Sequence, residues 1–171
     1  SYIFLRPSYF MQNLTTTLLS DIQTKRKIVL PSGKAKFNWV DVSDIGEVAA
    51  LLLVNFSIYK NQALELTGSE IENFYKVAEI INSQVVSPVK FVSVNPYRFY
   101  NLKMKDGFEK GMVLVMLMLH FLPRIQKVPN LSDNYEKITG KKPTTLLEFV
   151  KRERKYFQEL KLDNVEMSFQ P

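Results

Sequence analysis

The spacing of apolar residues along the chain predicts short strands that alternate with helices. Apolar or alternating runs predict strands at 2–5, 28–30, 37–40, 63–67 and 89–94. Between these runs, apolar residues recur at intervals of three and four, which is the spacing of one helix face. Because strands and helices alternate, the pattern predicts an α/β fold.

The clearest unit in this pattern is the strand at 37–40 and the helix that follows it directly. Asp41 or Ser43 can cap the first turn of this helix with a side-chain oxygen. Its apolar residues cover nearly the whole circumference: Ile45, Val48, Ala49, Leu51, Leu52, Leu53 and Val54. A helix with so little polar surface is expected in a core, between a sheet and other elements.

Three further helices are predicted from start signals and apolar spacing. Residues 13–24 place leucine and isoleucine on one helix face. The S-x-x-E sequence at 69–72 matches a capping box, although the helix there can equally start near Asn73. The T-x-x-E sequence at 145–148 is a second capping box and predicts a final helix over 145–160.

Three segments of the chain, in order, resemble one protein family. Residues 37–50, F-N-W-V-D-V-S-D-I-G-E-V-A-A, resemble the strand-to-helix segment of the NmrA-like family of atypical short-chain dehydrogenase/reductases. Residues 3–14, I-F-L-R-P-S-Y-F-M-Q-N-L, resemble its L-R-P-x-x-F-x-x-N-L segment. Residues 132–143, followed by Phe149, resemble its closing D-x-x-x-x-T-G-x-x-P…F helix pair. Together the three matches span most of the chain.

The resemblance implies the C-terminal part of an NAD(P)-binding Rossmann-like fold, with a mainly helical subdomain on the substrate side. Residues 1–160 are expected to form one such domain, and 161–171 a tail. The glycine-rich G-x-x-G-x-x-G loop that receives the pyrophosphate in this family is absent, because the glycines are isolated: Gly33, Gly46, Gly68, Gly107, Gly111 and Gly140. We therefore expect the chain to be the C-terminal half of a longer protein, or the product of a truncated gene.

The family comparison also implies which residues hold the cofactor. Pro7, Ser8, Tyr9 and Phe10 form the turn beside the nicotinamide of NADP or NAD in this reading. A proline fixes the backbone, a small residue lets a flat ring approach, and an aromatic residue supplies a wall. The alternative is an ordinary strand-to-helix turn with Phe10 in the core.

The segment from Met104 to Pro123 is the second candidate. In the family this region helps to cover the substrate cleft, so Met112, Met116 and His120 are candidates for the lining of a flat apolar substrate pocket. The alternative is that this segment supplies core or oligomer contacts, with His120 packed and hydrogen-bonded. The tyrosine and lysine residues nowhere have the Tyr-x-x-x-Lys spacing of most short-chain dehydrogenases, so catalytic residues are left unassigned.

Composition narrows the range of partners. The chain has no cysteine and one histidine, so no metal site is expected. The formal charge is +6, but the basic residues are scattered in small groups, which does not indicate nucleic-acid binding. The most apolar run, 112–122, is about half of the roughly 20 residues that a spanning helix needs, so no membrane anchor is expected. With no recognisable signal peptide, these features favour a cytoplasmic protein.

Three functional hypotheses follow from these observations. The first is an NAD(P)H-dependent oxidoreductase of small conjugated acceptors such as quinones, active in its full-length form. The second is a non-enzymatic regulatory protein that senses NADP(H). The third is an inactive truncated fragment, which the missing glycine-rich loop supports. The apolar strand at 2–5 leaves an edge or a face to be covered, so a homodimer is a further expectation.

Overall fold

The computed structural model describes residues 1–158 of the chain. The strands are β1 (Ile3–Pro7), β2 (Tyr9–Phe10), β3 (Lys27–Leu30), β4 (Lys36–Val40), β5 (Gln62–Leu66), β6 (Glu70–Asn73) and β7 (Lys90–Ser93). The α-helices are α1 (Leu19–Lys25), α2 (Val42–Val54), α3 (Phe56–Tyr59), α4 (Phe74–Asn82), α5 (Pro96–Lys105), α6 (Lys110–Phe121), α7 (Asn134–Thr139) and α8 (Leu146–Arg152). The predicted α/β class is confirmed.

Within the described residues the strands form three small sheets. β1 lies parallel to β5, with Ile3 opposite Gln62 and Pro7 opposite Leu66. β4 lies between β2, which is parallel to it, and β6, which is antiparallel. β3 and β7 form the third pair, also parallel. Parallel neighbours need long crossovers, and the helices between the paired strands provide them.

The main hydrophobic core joins the second and third sheets to α1, α4, α5, α6 and α8, and a smaller one lies between β1, β5, α2 and α7. Trp39 of β4 is fully buried, and its indole N–H donates to the backbone carbonyl of Glu72 at 3.0 Å. The largest fully buried side chains around it are Met11, Leu14, Leu18, Ile22, Ile28, Leu30, Phe74, Phe99, Phe149 and Phe157. The candidate site is built on the edge of this core.

Helix α2 differs from its prediction. Asp41 caps it, with its carboxylate accepting from the Ser43 N–H at 2.9 Å, and Val48 and Leu52 are buried against the β1–β5 pair and α7. The opposite face is open, with Leu53 76% and Val54 84% exposed. The prediction of a fully enclosed helix is therefore wrong for the structure described over residues 1–158, where packing covers α2 on one side.

Asp41 also ties three parts of the chain together. Its buried carboxylate accepts from the Gln12 amide at 2.8 Å and pairs with the Arg152 guanidinium at 2.7 Å. Burial alone would raise the pKa of Asp41, but the bonds from Ser43, Gln12 and Arg152 outweigh it and hold the pKa below its ordinary value. The carboxylate thus fixes the start of α2 against the segment that follows β2 and against α8.

The predicted helix at 13–24 is broken. A 3₁₀ turn spans Met11–Leu14, and regular helix begins only at Leu19. The hydroxyl groups of Thr15 and Thr16 both donate to the carbonyl of Gln12, at 3.2 and 2.8 Å. Such local bonds compete with helix geometry, and β-branched residues already disfavour it.

Two capping boxes were predicted, and one is present. Residues 70–73 form strand β6, and α4 begins at the Asn73 cap, so the box at 69–72 is wrong and the alternative start is confirmed. The Thr145 box is confirmed, since its side chain and that of Glu148 each accept from the other's backbone N–H. Helix α8 ends at Arg152, before a separate 3₁₀ turn at Arg154–Phe157. The predicted helix end near Leu160 and the tail at 161–171 lie outside the described residues.

No helix in residues 1–158 is long and apolar enough to span a bilayer.

Candidate functional site

The site begins where β1 ends. Pro7 is the last residue of β1, and the N–H of Ser8 continues the pairing by donating to the Leu66 carbonyl at 3.0 Å. The chain then changes sheets, because Tyr9 and Phe10 pair with Trp39 and Val40 of β4. After this change of sheets, the Tyr9 side chain packs against the core, whereas Phe10 is 39% exposed.

Two polar atoms beside this turn are buried without a hydrogen-bond partner in the described structure. They are the hydroxyl of Ser8 and the side-chain oxygen of Asn38. The amide nitrogen of Asn38 donates to the Pro129 carbonyl at 2.9 Å, which leaves its oxygen facing elsewhere as an acceptor. Both residues line a cavity of about 170 Å³, here called the turn cavity, together with Tyr9, Lys36, Phe37, Pro123, Gln126, Lys127, Val128 and Pro129. Unsatisfied buried polar atoms are costly, so a ligand with a donor and an acceptor suits this cavity.

Tyr9 is the centre of an aromatic cluster. Its ring centroid lies 5.0 Å from that of Phe37, 4.8 Å from that of Trp39 and 6.0 Å from that of Phe74. Edge-to-face contacts of this kind hold the phenol ring in one orientation. The cluster therefore fixes the direction of the Tyr9 hydroxyl.

That hydroxyl meets His120 of α6. The Tyr9 oxygen lies 2.7 Å from Nε2 of His120, and Nδ1 of His120 lies 2.7 Å from the carbonyl oxygen of Met116. A carbonyl can only accept, so Nδ1 carries the proton and Nε2 accepts from the Tyr9 hydroxyl. The tautomer of His120 is thus set by the helix to which it belongs.

Both groups of this pair are neutral at ordinary pH. Burial lowers the pKa of His120 to about 4, against a smaller raising effect of its bond to Met116. Burial also raises the pKa of the Tyr9 phenol above its usual range, against a smaller lowering effect of a hydrogen bond from Asn13. The pair can therefore orient a bound molecule, but neither group carries charge near pH 7.

A second cavity, here called the α6 cavity, lies on the other side of Tyr9. It measures about 190 Å³ and is lined by Tyr9, Asn13, Thr17, Leu18, Met112, Val115, Met116, Leu119 and His120. No lysine, arginine, aspartate or glutamate is among these lining residues. Three of them, Met112, Val115 and Leu119, are about half exposed and form the mouth of the cavity. Its chemistry suits a neutral, flat and largely apolar ligand.

The predicted site residues fall into two groups. The structure brings Met112, Met116 and His120 together in the α6 cavity, and Ser8 and Tyr9 in the turn cavity. Pro7 and Phe10 line neither. The alternative that puts Phe10 in the core is wrong, because this side chain is partly exposed. The binding roles themselves stay predictions.

Two residues of the site were missed in the sequence. Asn13 lies within the L-R-P-x-x-F-x-x-N-L segment, so that motif carried a signal for it. Asn38 lies in an apolar strand, where an asparagine is unusual, and its unpaired oxygen shows only in the fold. The bond between Tyr9 and His120, 111 residues apart, had no sequence signal at all.

No family model matches the sequence. The chain is 30% identical over 160 residues to the oxidoreductase YesF of Bacillus subtilis, a match that covers 90% of this chain and 54% of YesF. It is 27% identical over 151 residues to an NAD(P)H azoreductase of Xenophilus azovorans, covering 88% and 52% of the two chains. It is 26% identical over 165 residues to the nitrogen metabolite regulation-like protein bik4 of Gibberella fujikuroi, covering 87% and 51%. The chain therefore spans about half the length of the relatives it matches.

Solved structures share the fold. An NADPH-dependent quinone oxidoreductase of Escherichia coli superimposes with a TM-score of 0.77 at 17% identity, over 90% of this chain and 55% of the other. A triphenylmethane reductase of Citrobacter sp., solved with NADP(H), gives a TM-score of 0.76 at 20% identity, over 88% and 52%. At these identities the likeness shows the fold alone, a Rossmann-like α/β fold. The relatives agree with the resemblance to the NmrA-like family of atypical short-chain dehydrogenase/reductases, over about half of their length.

Proposed function

We propose that this chain is the substrate-side part of an NAD(P)H-dependent oxidoreductase that, in its full-length form, reduces small conjugated acceptors such as quinones. The observation that carries the proposal is the α6 cavity, an apolar, charge-free space walled on one side by the oriented Tyr9–His120 pair. A neutral ring system fits such a space without burying an unpaired charge. The relatives named as oxidoreductases and reductases support the same reaction class.

The turn cavity fits the nicotinamide of NADP or NAD. A carboxamide has an N–H₂ donor and a carbonyl acceptor, and the turn cavity offers the unpaired Asn38 oxygen as acceptor and the unpaired Ser8 hydroxyl as donor. We propose that Pro7, Ser8, Tyr9 and Phe10 form the turn against which this ring lies. The bound cofactor supplies a hydride to the acceptor.

The residues of the chain itself would position the acceptor rather than transfer protons. Tyr9 and His120 are neutral and hydrogen-bonded to each other, and His120 does not become protonated until well below pH 6. The methionine and leucine side chains around them adapt to flat ligands and exclude water. Direct hydride transfer to a conjugated acceptor needs little acid–base help, which agrees with this arrangement.

Consumption of NADPH and of NADH in the presence of a panel of quinones tests the proposal on the full-length protein. We expect turnover with neutral quinones, and slower turnover after Ser8→Ala or Asn38→Leu through a higher KM for the cofactor. Lys151→Gln, on the exposed side of α8, is the control with unchanged kinetics. Absence of turnover with every acceptor, while NADPH binds, contradicts the oxidoreductase proposal.

Binding of NADPH without turnover would favour the second candidate, a non-enzymatic regulator that senses NADP(H). One relative, bik4, is named as nitrogen metabolite regulation-like, and the absence of an ionisable group near neutral pH in the α6 cavity also agrees with binding without chemistry. Calorimetric titration with NADP⁺ and NADPH separates the two candidates from the third. A regulator binds and does not turn over, whereas an inactive fragment does neither.

We further propose that the 171-residue chain by itself is inactive, because its glycines are isolated and supply no pyrophosphate loop. We also propose a cytoplasmic location, supported by the lack of cysteine. A homodimer is proposed through the outer face of β1, where Tyr2 and Phe4 stack with ring centroids 4.6 Å apart and are 48% and 55% exposed. NADPH oxidation by the chain alone would overturn the first of these proposals.

A further inference from the structure

A third cavity lies away from the proposed reductase site. It measures about 220 Å³ and is enclosed by α1, β3, β7 and α5. It shares no lining residue with the turn cavity or the α6 cavity. Its walls are apolar, formed by Val29, Val92, Val94, Phe99 and Leu102. Its charged residues are grouped at the base and the rim, so this space is here called the basic cavity.

The base of the basic cavity is a buried ion pair. Nζ of Lys103 lies 2.5 Å from a carboxylate oxygen of Asp21, and the side chains are only 3% and 6% exposed. Lys25 pairs with the other oxygen of Asp21 and with Asp106, both at 2.9 Å. The two carboxylates of the cavity are therefore already engaged by Lys25 and Lys103. A buried pair of this kind is rigid, because breaking it exposes a charge to an apolar interior.

The rim of the basic cavity carries two further cations, Lys27 at the start of β3 and Arg98 in the first turns of α5. Both are exposed, and neither makes an ion pair with any residue in 1–158. The cavity thus holds two more cations than carboxylates, next to an apolar wall. The cations at the base are paired with carboxylates, whereas those at the rim are not. The excess positive charge therefore lies at the rim, where a ligand can reach it.

We propose that the basic cavity binds a small organic anion, a carboxylate carried on a flat apolar body. The apolar body would lie on Val29, Val92 and Leu102, and the carboxylate would meet Arg98 and Lys27. The guanidinium of Arg98 matches a carboxylate with two parallel N–H donors, and Lys27 adds a point charge. An inorganic anion would contact only the cations at the rim and would make no contact with the apolar wall. A neutral ring would leave both cations unpaired.

This inference does not rest on the proposed oxidoreductase function, since no residue of the basic cavity takes part in it. The probe is naphthalene-2-carboxylate, titrated into the 171-residue chain by calorimetry, with naphthalene-2-carboxamide as the uncharged match. We expect saturable binding of the carboxylate and at least tenfold weaker binding of the carboxamide, because one charge-assisted bond contributes about that factor. Binding should also weaken as salt is raised.

Variants locate the binding. Arg98→Gln and Lys27→Gln should each weaken carboxylate binding about tenfold, and Leu102→Glu should abolish it by placing a negative charge in the cavity. Leu102 is 37% exposed, so this change does not open the core. Lys151→Gln, with the same loss of charge on α8, should leave binding unchanged, and circular dichroism checks the fold of every variant. Equal affinity for the carboxamide, no saturable heat, or equal affinity across the variants overturns the proposal.

Discussion

At the scale of single residues, two positions show how packing determines the protonation state of one side chain and the space available to another. His120 is an ordinary imidazole by sequence, yet its burial and its two hydrogen bonds fix its tautomer and keep it neutral. Gly68 is unremarkable by sequence, yet a Cβ atom there would lie 2.0 Å from the backbone oxygen of Trp39. The constraint on Gly68 comes from Trp39 in another strand, whereas the His120 tautomer is set by Met116, one turn away in α6.

His120 makes stability depend on pH. Above pH 6.5 it is neutral in the folded and unfolded chain. As the pH falls from 6.5 to about 4, the unfolded chain binds a proton that the folded chain does not, so the free energy of unfolding falls by up to about 3 kcal/mol. Chemical unfolding followed by Trp39 fluorescence measures this. His120→Gln should reduce the dependence over that interval, and an unchanged slope in the variant would contradict the burial of a neutral imidazole.

Gly68 should tolerate no side chain. Gly68→Ala forces the backbone that links β5 and β6 away from Trp39, and we expect the free energy of unfolding to fall by about 3 kcal/mol. Gly46→Ala is the matched control, because Gly46 lies in α2 with nothing within 4 Å of the added atom. Alanine should stabilise that helix by about 1 kcal/mol. Urea unfolding of both variants checks the opposite signs, and equal effects would argue against the close approach.

At the scale of elements, α6 determines the character of the proposed acceptor site. Its inner face buries Val113, Met116 and His120, and its outer face carries Met112, Leu114, Val115, Met118 and Leu119, each about half exposed. A helix with so many apolar residues is expected inside a core, but α6 packs only one face against the core, and the edge of that face lines a cavity. Met112 lies at the mouth of this cavity.

We expect Met112→Trp to narrow that mouth. In the full-length protein, KM should rise about tenfold for a polycyclic quinone and stay nearly unchanged for benzoquinone, since one well-placed contact contributes about 1–3 kcal/mol. Leu114→Trp is the control, because Leu114 has similar exposure on α6 but does not line the cavity. Steady-state kinetics with both acceptors give the comparison. If the two variants behave alike, the acceptor does not enter beside Met112.

At the scale of the whole molecule, β1 has an outer face that the described residues leave uncovered. β1 pairs only with β5 among the described strands, and Tyr2 and Phe4 stack on its outer side. Exposed aromatic pairs beside an open strand edge are typical of association surfaces. This is the face through which we propose the homodimer.

The proposed dimer predicts a defined response to charge. Phe4→Lys should shift the 171-residue chain from dimer to monomer in sedimentation velocity, because the lysine would be buried without a partner in the interface. Val54→Lys, at a side chain that is 84% exposed on the open side of α2, should leave the association unchanged. A wild-type chain that is monomeric at every concentration would contradict the proposed homodimer.

Local signals in the sequence determined much of this protein. The alternative start near Asn73 predicted the helix that the structure shows as α4, and the Thr145 box was correct. Such features depend on residues within one or two turns of each other. The alternation of strands and helices predicted the α/β class, and the family resemblance added the Rossmann-like type and the turn at 7–10. Local rules failed where threonine hydroxyls broke the helix after Gln12, and where β6 displaced a capping box.

Only the tertiary structure decided the site. The bond from Tyr9 to His120, the unpaired atoms of Ser8 and Asn38, and the open side of α2 all depend on which elements pack together. The same holds for the basic cavity, which joins α1 to α5 through Lys103 and Asp21, 82 residues apart. The sequence specifies these contacts only through the fold, because burial, and not chain position, sets which polar groups meet and which remain without a partner.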